Sequence, residues 1–306
     1  MIVRSFKGHP VRSTFRDWVR YAERRFSAAR LVFGHGAHNA RDEAVWLLAH
    51  VLHIDFGEVH EVSDRVLNER EEREALRLVE RRIETRKPLA YLLREAWLAG
   101  FRFYVDERVI VPRSFIAELL ADDLTAWLRR RTVKHVLDLC TGSGCLAILA
   151  ARAFPRASVD ALDISPRALA VASRNVTEYR LRSRIRLVKS DLFARAPNRR
   201  YDLILSNPPY VPAAAMRRLP AEHRREPGLA LAGGRDGLDM TMRIIESAAA
   251  FLAPGGLLIV EIGHNRKVLE RRAPGVAFTW LSTSAGDDMV FLLSREQLLD
   301  ARRRKT

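Results

Sequence analysis

The chain has 306 residues, 48% hydrophobic and 29% charged, a composition that argues against disordered and fibrous classes. No uncharged stretch reaches the roughly 18 residues needed to cross a bilayer, and the first thirty residues alternate arginine with aromatic residues instead of forming an apolar signal core, so a cytoplasmic protein without a membrane span is expected. The formal charge is +15, and the two cysteines, Cys140 and Cys145, form neither a disulfide framework nor a Cys-x-x-Cys pair.

A length of this kind allows about two domains. In chain order, Thr14 is placed to cap a helix whose Phe15, Trp18, Val19, Ala22, Phe26 and Ala29 share one face, with Asp17 in its first turn. A second helix begins near Asn39 and carries Ala44, Val45, Leu47, Leu48, Val51 and Leu52. Asn68 opens a third, acidic at Glu69, Glu71 and Glu72, with Leu76, Val79 and Ile83 inward and Lys87-Pro88 stopping it. These elements predict a small helical bundle over residues 1–95, in which nothing reads as catalytic. Aromatic and β-branched residues in near alternation from Trp97 to Val111 predict a β-hairpin linker over 96–112.

Residues 113–306 read as an α/β domain, with strands at about 135–140, 158–163, 185–190, 201–206, 256–262, 277–282 and 289–294 separated by helical stretches. That alternation implies a mainly parallel sheet with helices on both faces. Asp287-Asp288 before the last strand points to an antiparallel edge hairpin, and the tail Arg302-Arg303-Arg304-Lys305 reads as a frayed solvated end. Residues 1–110 carry a net charge of +3 and residues 111–306 one of +12. A basic surface speeds encounter with RNA or a ribonucleoprotein; the plain alternative is arginine on solvated faces.

Ligands of such sheets bind beyond the carboxyl ends of the strands. The first candidate is the run Val136-Leu137-Asp138-Leu139-Cys140-Thr141-Gly142-Ser143-Gly144-Cys145, where a buried strand ends in a loop whose glycines let the backbone approach a ligand, or simply make a tight strand-to-helix turn. The third glycine of a dinucleotide loop is replaced by Ala147, which disfavours pyrophosphate. Asp163 ends the next strand and can accept bonds from adjacent ribose hydroxyls, or cap the following helix. Asp191, ending the third strand beside Leu192, suits an adenine ring and its amino group, or a turn.

The decisive element is Asn207-Pro208-Pro209-Tyr210 at the end of a further strand. The prolines fix φ and remove two donors, so the Pro208 carbonyl and the Asn207 side chain can present two acceptors to a planar NH₂ group, with Tyr210 as an apolar wall. Five histidines, 35, 38, 50, 53 and 60, cluster in the helical part without a carboxylate or thiolate to complete a ligand set, so no metal is expected. Met240 and Met242 read as helix packing.

The run Asp138 to Gly144 with Asp163, Asp191 and Asn207 to Tyr210 resembles class I S-adenosylmethionine-dependent methyltransferases of the set that methylates amino groups. Pro88-Leu89-Ala90-Tyr91, the hairpin, and Val111-Pro112-Arg113-Ser114 with Glu118 are similar to the protein-glutamine methyltransferases of the HemK/PrmB family. Leu219-Pro220-Ala221-Glu222, Arg225-Glu226-Pro227, Leu229-Ala230-Leu231 and Gly234 to Asp239 are similar to the PrmB branch, which modifies a glutamine of ribosomal protein uL3. Cys140, where the release-factor branch has glycine, and Ser114 to Ala117, where that branch continues its Pro-Arg run with Pro-Asp/Glu-Thr, point to the same branch, while Phe115 departs from the proline expected there.

The resemblance implies a Rossmann-like seven-stranded sheet and S-adenosylmethionine as cofactor. It places Arg113, Asp138, Cys140, Thr141, Gly142, Ser143, Gly144, Asp163, Ile164, Asp191, Leu192 and Asn207 at that cofactor, and Asn207, Pro208, Pro209 and Tyr210 at the substrate amide. It makes residues 1–95 a substrate-recognition domain and 113–306 the catalytic domain. The implied partner is uL3, free or within an assembling large subunit, with possible rRNA contact. Rival readings are a release-factor glutamine methyltransferase, a nucleic-acid amino-methyltransferase, which needs base flipping in a duplex, and a non-catalytic ribosome-assembly factor.

Overall fold

The computed structural model describes residues 13–121 and 133–304; Lys305 and the opening residues up to Arg12 lie outside them. The contacts divide the described residues into two units. One takes those up to Glu95 together with Pro220–Arg225, the other those from Ala96 to Leu219 and from Glu226 onward.

In the first unit, helices α1 (Phe15–Ala28), α2 (Ala40–Leu52) and α3 (Glu69–Thr85) start at the side-chain caps read from the sequence, Thr14, Asn39 and Asn68. Asp17 and Glu71 return the bond to the cap backbone in α1 and α3, which satisfies amides that a helix start otherwise leaves open. A short α4 (Leu89–Leu93) follows Pro88. Trp18, Phe26, Leu47, Leu48 and Leu78 are among the fully buried or nearly fully buried side chains of this core.

The inward face of α3 differs from the expected one. Val79 is buried, but Leu76 and Ile83 are only half-buried, and Ala75, Leu78 and Arg82 take the interior. Arg82 is fully buried and its Nε donates to Glu43 Oε1 on α2 at 2.6 Å. An internal ion pair therefore turns the helix by one position, which apolar periodicity cannot register. Glu222, also fully buried, accepts from Arg86 at 2.6 Å and from the Val32 amide at 3.2 Å.

The second unit opens with a hairpin, β1 (Ala96–Leu98) and β2 (Phe101–Phe103), turning at Ala99-Gly100 with positive φ at both. It is shorter than expected because the chain leaves the ladder at Tyr104, whose amide donates to the Asn175 side chain at 2.8 Å, and then buries Val105, Val109 and Val111. After α5 (Ile116–Ala121) come β3 (His135–Leu139), α6 (Cys145–Ala153), β4 (Ser158–Asp163), α7 (Pro166–Glu178), β5 (Ile185–Lys189) and β6 (Tyr201–Ser206). Then follow α8 (Ala213–Met216), α9 (Asp239–Ala248), β7 (Leu252–Glu261), α10 (Arg266–Arg272), β8 (Thr279–Thr283), β9 (Gly286–Ser294) and α11 (Arg295–Arg303).

The seven strands of the large sheet run in the order β5-β4-β3-β6-β7-β9-β8. The first five are mutually parallel, while β9 is antiparallel to both β7 and the edge strand β8. Asp287 and Asp288 lie in β9 itself, the turn falling at Ser284-Ala285. Alternate β3 residues enter two different cores: Val136 joins residues of α6, and Leu137 and Leu139 join residues of α9, α10 and α11. Strand order reverses between β3 and β6, so the crevice beyond their carboxyl ends is where such a sheet binds ligands.

Candidate active site

The loop leaving β3 has three residues in the left-handed region, Cys140 (φ 60°), Gly142 (φ 56°) and Gly144 (φ 80°). Cys140 thus has a backbone conformation that glycine adopts freely, at a cost on the order of 1–2 kcal/mol. The two glycines serve different ends. A Cβ on Gly142 would find its nearest neighbour, the Cys140 carbonyl, only at 4.0 Å, so this backbone is open to a ligand. A Cβ on Gly144 would meet the Ala172 Cβ at 3.1 Å, so that glycine is needed for packing of α6 on α7, not for ligand approach as expected.

Beneath the loop, Asp138 is fully buried and accepts from the Thr141 hydroxyl at 2.5 Å. Burial pushes its carboxyl up to about 7, opposed by the Thr141 hydroxyl and the Ala147 amide. Asp163, at the end of β4, accepts from the Gly142 amide at 2.9 Å and, through its other oxygen, from the Ser165 amide at 2.8 Å. Its carboxyl is also raised by burial, against these amides. Burial pushes both cysteine thiols upward, Cys145 to about 12.

A cavity of about 240 Å³ opens over these strand ends. It brings together Cys140, Gly142, Asp163, Ile164, Asp191, Leu192, Asn207 and Pro209 of the residues expected from the sequence. Asp138, Thr141, Ser143, Gly144, Arg113, Pro208 and Tyr210 are not among its lining residues. Asp138 and Thr141 support the loop from below, and the Ser143 carbonyl accepts from Asn175 at 2.8 Å. Arg113 makes a two-pronged ion pair with Glu226 at 2.6 and 2.7 Å, and Glu226 also accepts from the Val111 amide at 2.9 Å.

Four groups of lining residues were not anticipated; one is Ser165, Ala168 and Ser190, beside the expected strand-end positions. Arg108, Val109 and Ile110 come from the stretch read as hairpin; Arg108 forms a bidentate pair with Asp106 at 2.8 and 2.6 Å. Pro227, Leu229, Ala230 and Ala232 come from the segment before α9. From α9 itself come Met240 and Arg243, the latter donating to Asp191 at 2.9 Å. Both methionines pack as expected, Met242 within the core and Met240, half-buried, against it, and Met240 lines the cavity as well. Ile164 and Leu229 line the cavity yet are 48% and 62% exposed, two apolar side chains at its open mouth.

Asn207 follows the last residue of β6, where Ser206 anchors the strand by donating to the Leu139 carbonyl at 3.0 Å. Its side chain has no hydrogen-bond partner among the described residues and lines the cavity. Pro208 is buried. Tyr210 corrects its expected role as a cavity wall: the hydroxyl donates to the buried Glu261 at 3.4 Å, and the ring lies against Gly263. Glu118 is engaged by the Ser284 amide and hydroxyl at 2.9 and 2.6 Å.

Among the described residues no three His, Cys, Asp or Glu side chains are grouped to hold a metal ion. His50 faces Glu95 at 3.2 Å, and the His35 and His223 rings lie 4.3 Å apart.

Residues 117–222 match the model of the methyltransferase small domain, and residues 17–93 that of the PrmC N-terminal domain. The ribosomal protein uL3 glutamine methyltransferase of Neisseria meningitidis serogroup A is 53% identical over 288 residues, which cover 94% of this chain and 95% of that one. The protein of the same name from Burkholderia pseudomallei is 53% identical over 293 residues, 93% of this chain and 95% of its own. Among solved structures, the catalytic domain of hMettl16, in complex with MAT2A 3′UTR hairpin 6, superposes with a TM-score of 0.50 at 16% identity. That match covers 73% of this chain and 80% of the other and is a likeness of fold alone.

Proposed function

The chain belongs to the family of ribosomal protein uL3 glutamine methyltransferases, and from that membership we propose that it methylates the side-chain amide nitrogen of a glutamine in uL3, with S-adenosylmethionine as methyl donor. The observation that carries this reading is the presence of Asn207, with an unengaged side chain, in the same cavity as Gly142, Asp163 and Asp191.

The lining fits a nucleoside. Each Asp163 oxygen takes one backbone amide and keeps a second lone pair for a ribose hydroxyl. Asp191 and Leu192 offer an acceptor beside an apolar surface for an aminopurine, and Ile164 and Leu229 cover its faces at the mouth. The open backbone at Gly142 leaves room along the ribose. When bound, the cofactor supplies a methyl carbon already activated by its sulfonium.

The protein's part is then alignment more than proton chemistry. A carboxamide nitrogen is a poor nucleophile because its lone pair is delocalised into the carbonyl. The Asn207 side-chain oxygen accepts one of its hydrogens, which orients the lone pair and favours pyramidal character. The Pro208 carbonyl expected to take the other belongs to a buried residue off the cavity lining. The proton becomes acidic on methylation and leaves without a dedicated base.

Incubation with labelled cofactor and ribosomal extract from cells lacking the enzyme, followed by mass mapping, should place the label on a uL3 glutamine. Label on a release factor or on RNA would overturn this assignment. Asp163→Ala is expected to weaken cofactor affinity about tenfold or more by loss of two charge-assisted bonds, and calorimetry showing unchanged binding would reject the ribose role.

Residues 1–95 serve, on this reading, to recognise the substrate protein, while the positive charge of the chain favours encounter with uL3 on rRNA in an assembling particle. Methylation of such particles should slow steeply between about 50 and 200 mM salt, and free uL3 should respond less. Equal salt responses would remove the RNA contribution.

A further inference from the structure

Three alternate residues of the segment that ends β7 hold three different parts of Tyr210. The Tyr210 hydroxyl donates to Glu261 Oε1 at 3.4 Å. Gly263 lies under the ring, where a Cβ would come within 2.9 Å of Cε2. Asn265 Nδ2 donates both to the Tyr210 carbonyl and to the Ile262 carbonyl, each at 3.0 Å. The opposite side is closed as well, since a Cβ on Gly237 would sit 2.3 Å from the Tyr210 oxygen and 3.0 Å from Asn265 Nδ2.

Glu261 is itself immobilised. It is 1% exposed, and its Oε2 accepts from the Ser114 hydroxyl at 2.7 Å and the Phe115 amide at 2.9 Å. The chain at Tyr210 is thus fixed at hydroxyl, ring and carbonyl. Two consecutive prolines carry that constraint back to Asn207, because each has its φ locked. Asn207 is held on one side by Ser206 in the β6 ladder and on the other by the Pro-Pro unit. Since its side chain has no hydrogen bond among the described residues, a shift at the far end of that unit is felt directly in where its amide stands.

We propose that Asn265 is a positioning residue for amide methylation: by holding the Tyr210 carbonyl to the end of β7, it sets the placement of Asn207 in the cavity. The proposal rests on the role given above to Asn207. Asn265→Ala frees the Tyr210 carbonyl without touching the cavity lining.

Assayed on uL3 as the full chain, Asn265→Ala is expected to lower kcat about tenfold, since small misplacements of an aligning group carry large rate penalties. Calorimetry should show full cofactor stoichiometry with Kd within about twofold of the parent, which separates misplacement from loss of folded protein. In an Asn207→Ala background the same change should cost less than about twofold, because no amide remains to be placed. A kcat within about twofold of the parent overturns the proposal, as does an equal loss in both backgrounds. Should Asn265→Ala bind cofactor substoichiometrically, Tyr210→Phe removes only the hydroxyl held by Glu261; a fall of about threefold is expected in the parent and none in the Asn207→Ala background. Equal falls in both would again overturn it. A normal rate for Asn207→Ala by itself would instead reject the underlying reading of the site.

Discussion

Asn207→Ala is expected to lower kcat by roughly 10²-fold or more, about 3 kcal/mol of transition-state stabilisation, with cofactor affinity close to that of the parent. The expectation follows from where Asn207 stands and what it lacks. It lies just beyond the carboxyl end of β6, next to the strand-order reversal, and its carboxamide has no hydrogen-bond partner among the described residues. A cavity-lining amide with no hydrogen bond to the protein keeps its donor and acceptor for a ligand. Its acceptor oxygen is worth most when the substrate nitrogen pyramidalises and its N–H bonds become more polar, so the loss falls on kcat and not on ground-state binding. Steady-state rates on uL3 beside calorimetry with the cofactor separate the two. Near-normal turnover would remove Asn207 from the mechanism.

The caps Thr14, Asn39 and Asn68 and the residues Gly142, Asp163, Asp191 and Asn207 were legible because each marks a local boundary, the start of a helix or the carboxyl end of a strand. What escaped was set by distant partners. Tyr210 reads as a cavity wall until Glu261 and Asn265, more than fifty residues on, draw it into a buried clamp. Arg113 reads as a cofactor ligand until Glu226 takes both of its terminal nitrogens. Leu229 and Met240 carry no chemical signature, and only the path of the chain brings them to the cavity. On α9, Met242 is buried in the core while Met240 packs at its margin and also reaches the cavity, a difference that helical periodicity contains but composition does not.

The same limit hid the charge at the centre of the helical unit, where Arg82→Met is expected to cost about 3–5 kcal/mol. Arg82 and Glu43 lie thirty-nine residues apart, both essentially without solvent contact, and form a 2.6 Å ion pair that also reaches the Val32 carbonyl at 3.3 Å. Removing the guanidinium leaves the Glu43 carboxylate buried, with Glu222 as a like-charged neighbour and His35 left to oppose it. Burial already holds the Glu43 carboxyl above its usual range, with Arg82 as the main opposing influence, so the variant raises it further. A carboxyl whose folded pKa exceeds its unfolded one leaves stability intact below the unfolded value and erodes it as pH rises through the folded value. The deficit should therefore be larger near pH 8 than near pH 5. Hydrogen exchange of the α2 and α3 amides reads this unit by itself, and protection there should fall by about 10²–10³-fold at the higher pH. The double variant Glu43→Leu/Arg82→Met should recover most of it, because no lone charge is left inside. A single variant that loses less than about 1 kcal/mol, or loses the same at both pH values, would show that solvent reaches Glu43 and that the pair does not hold the bundle together.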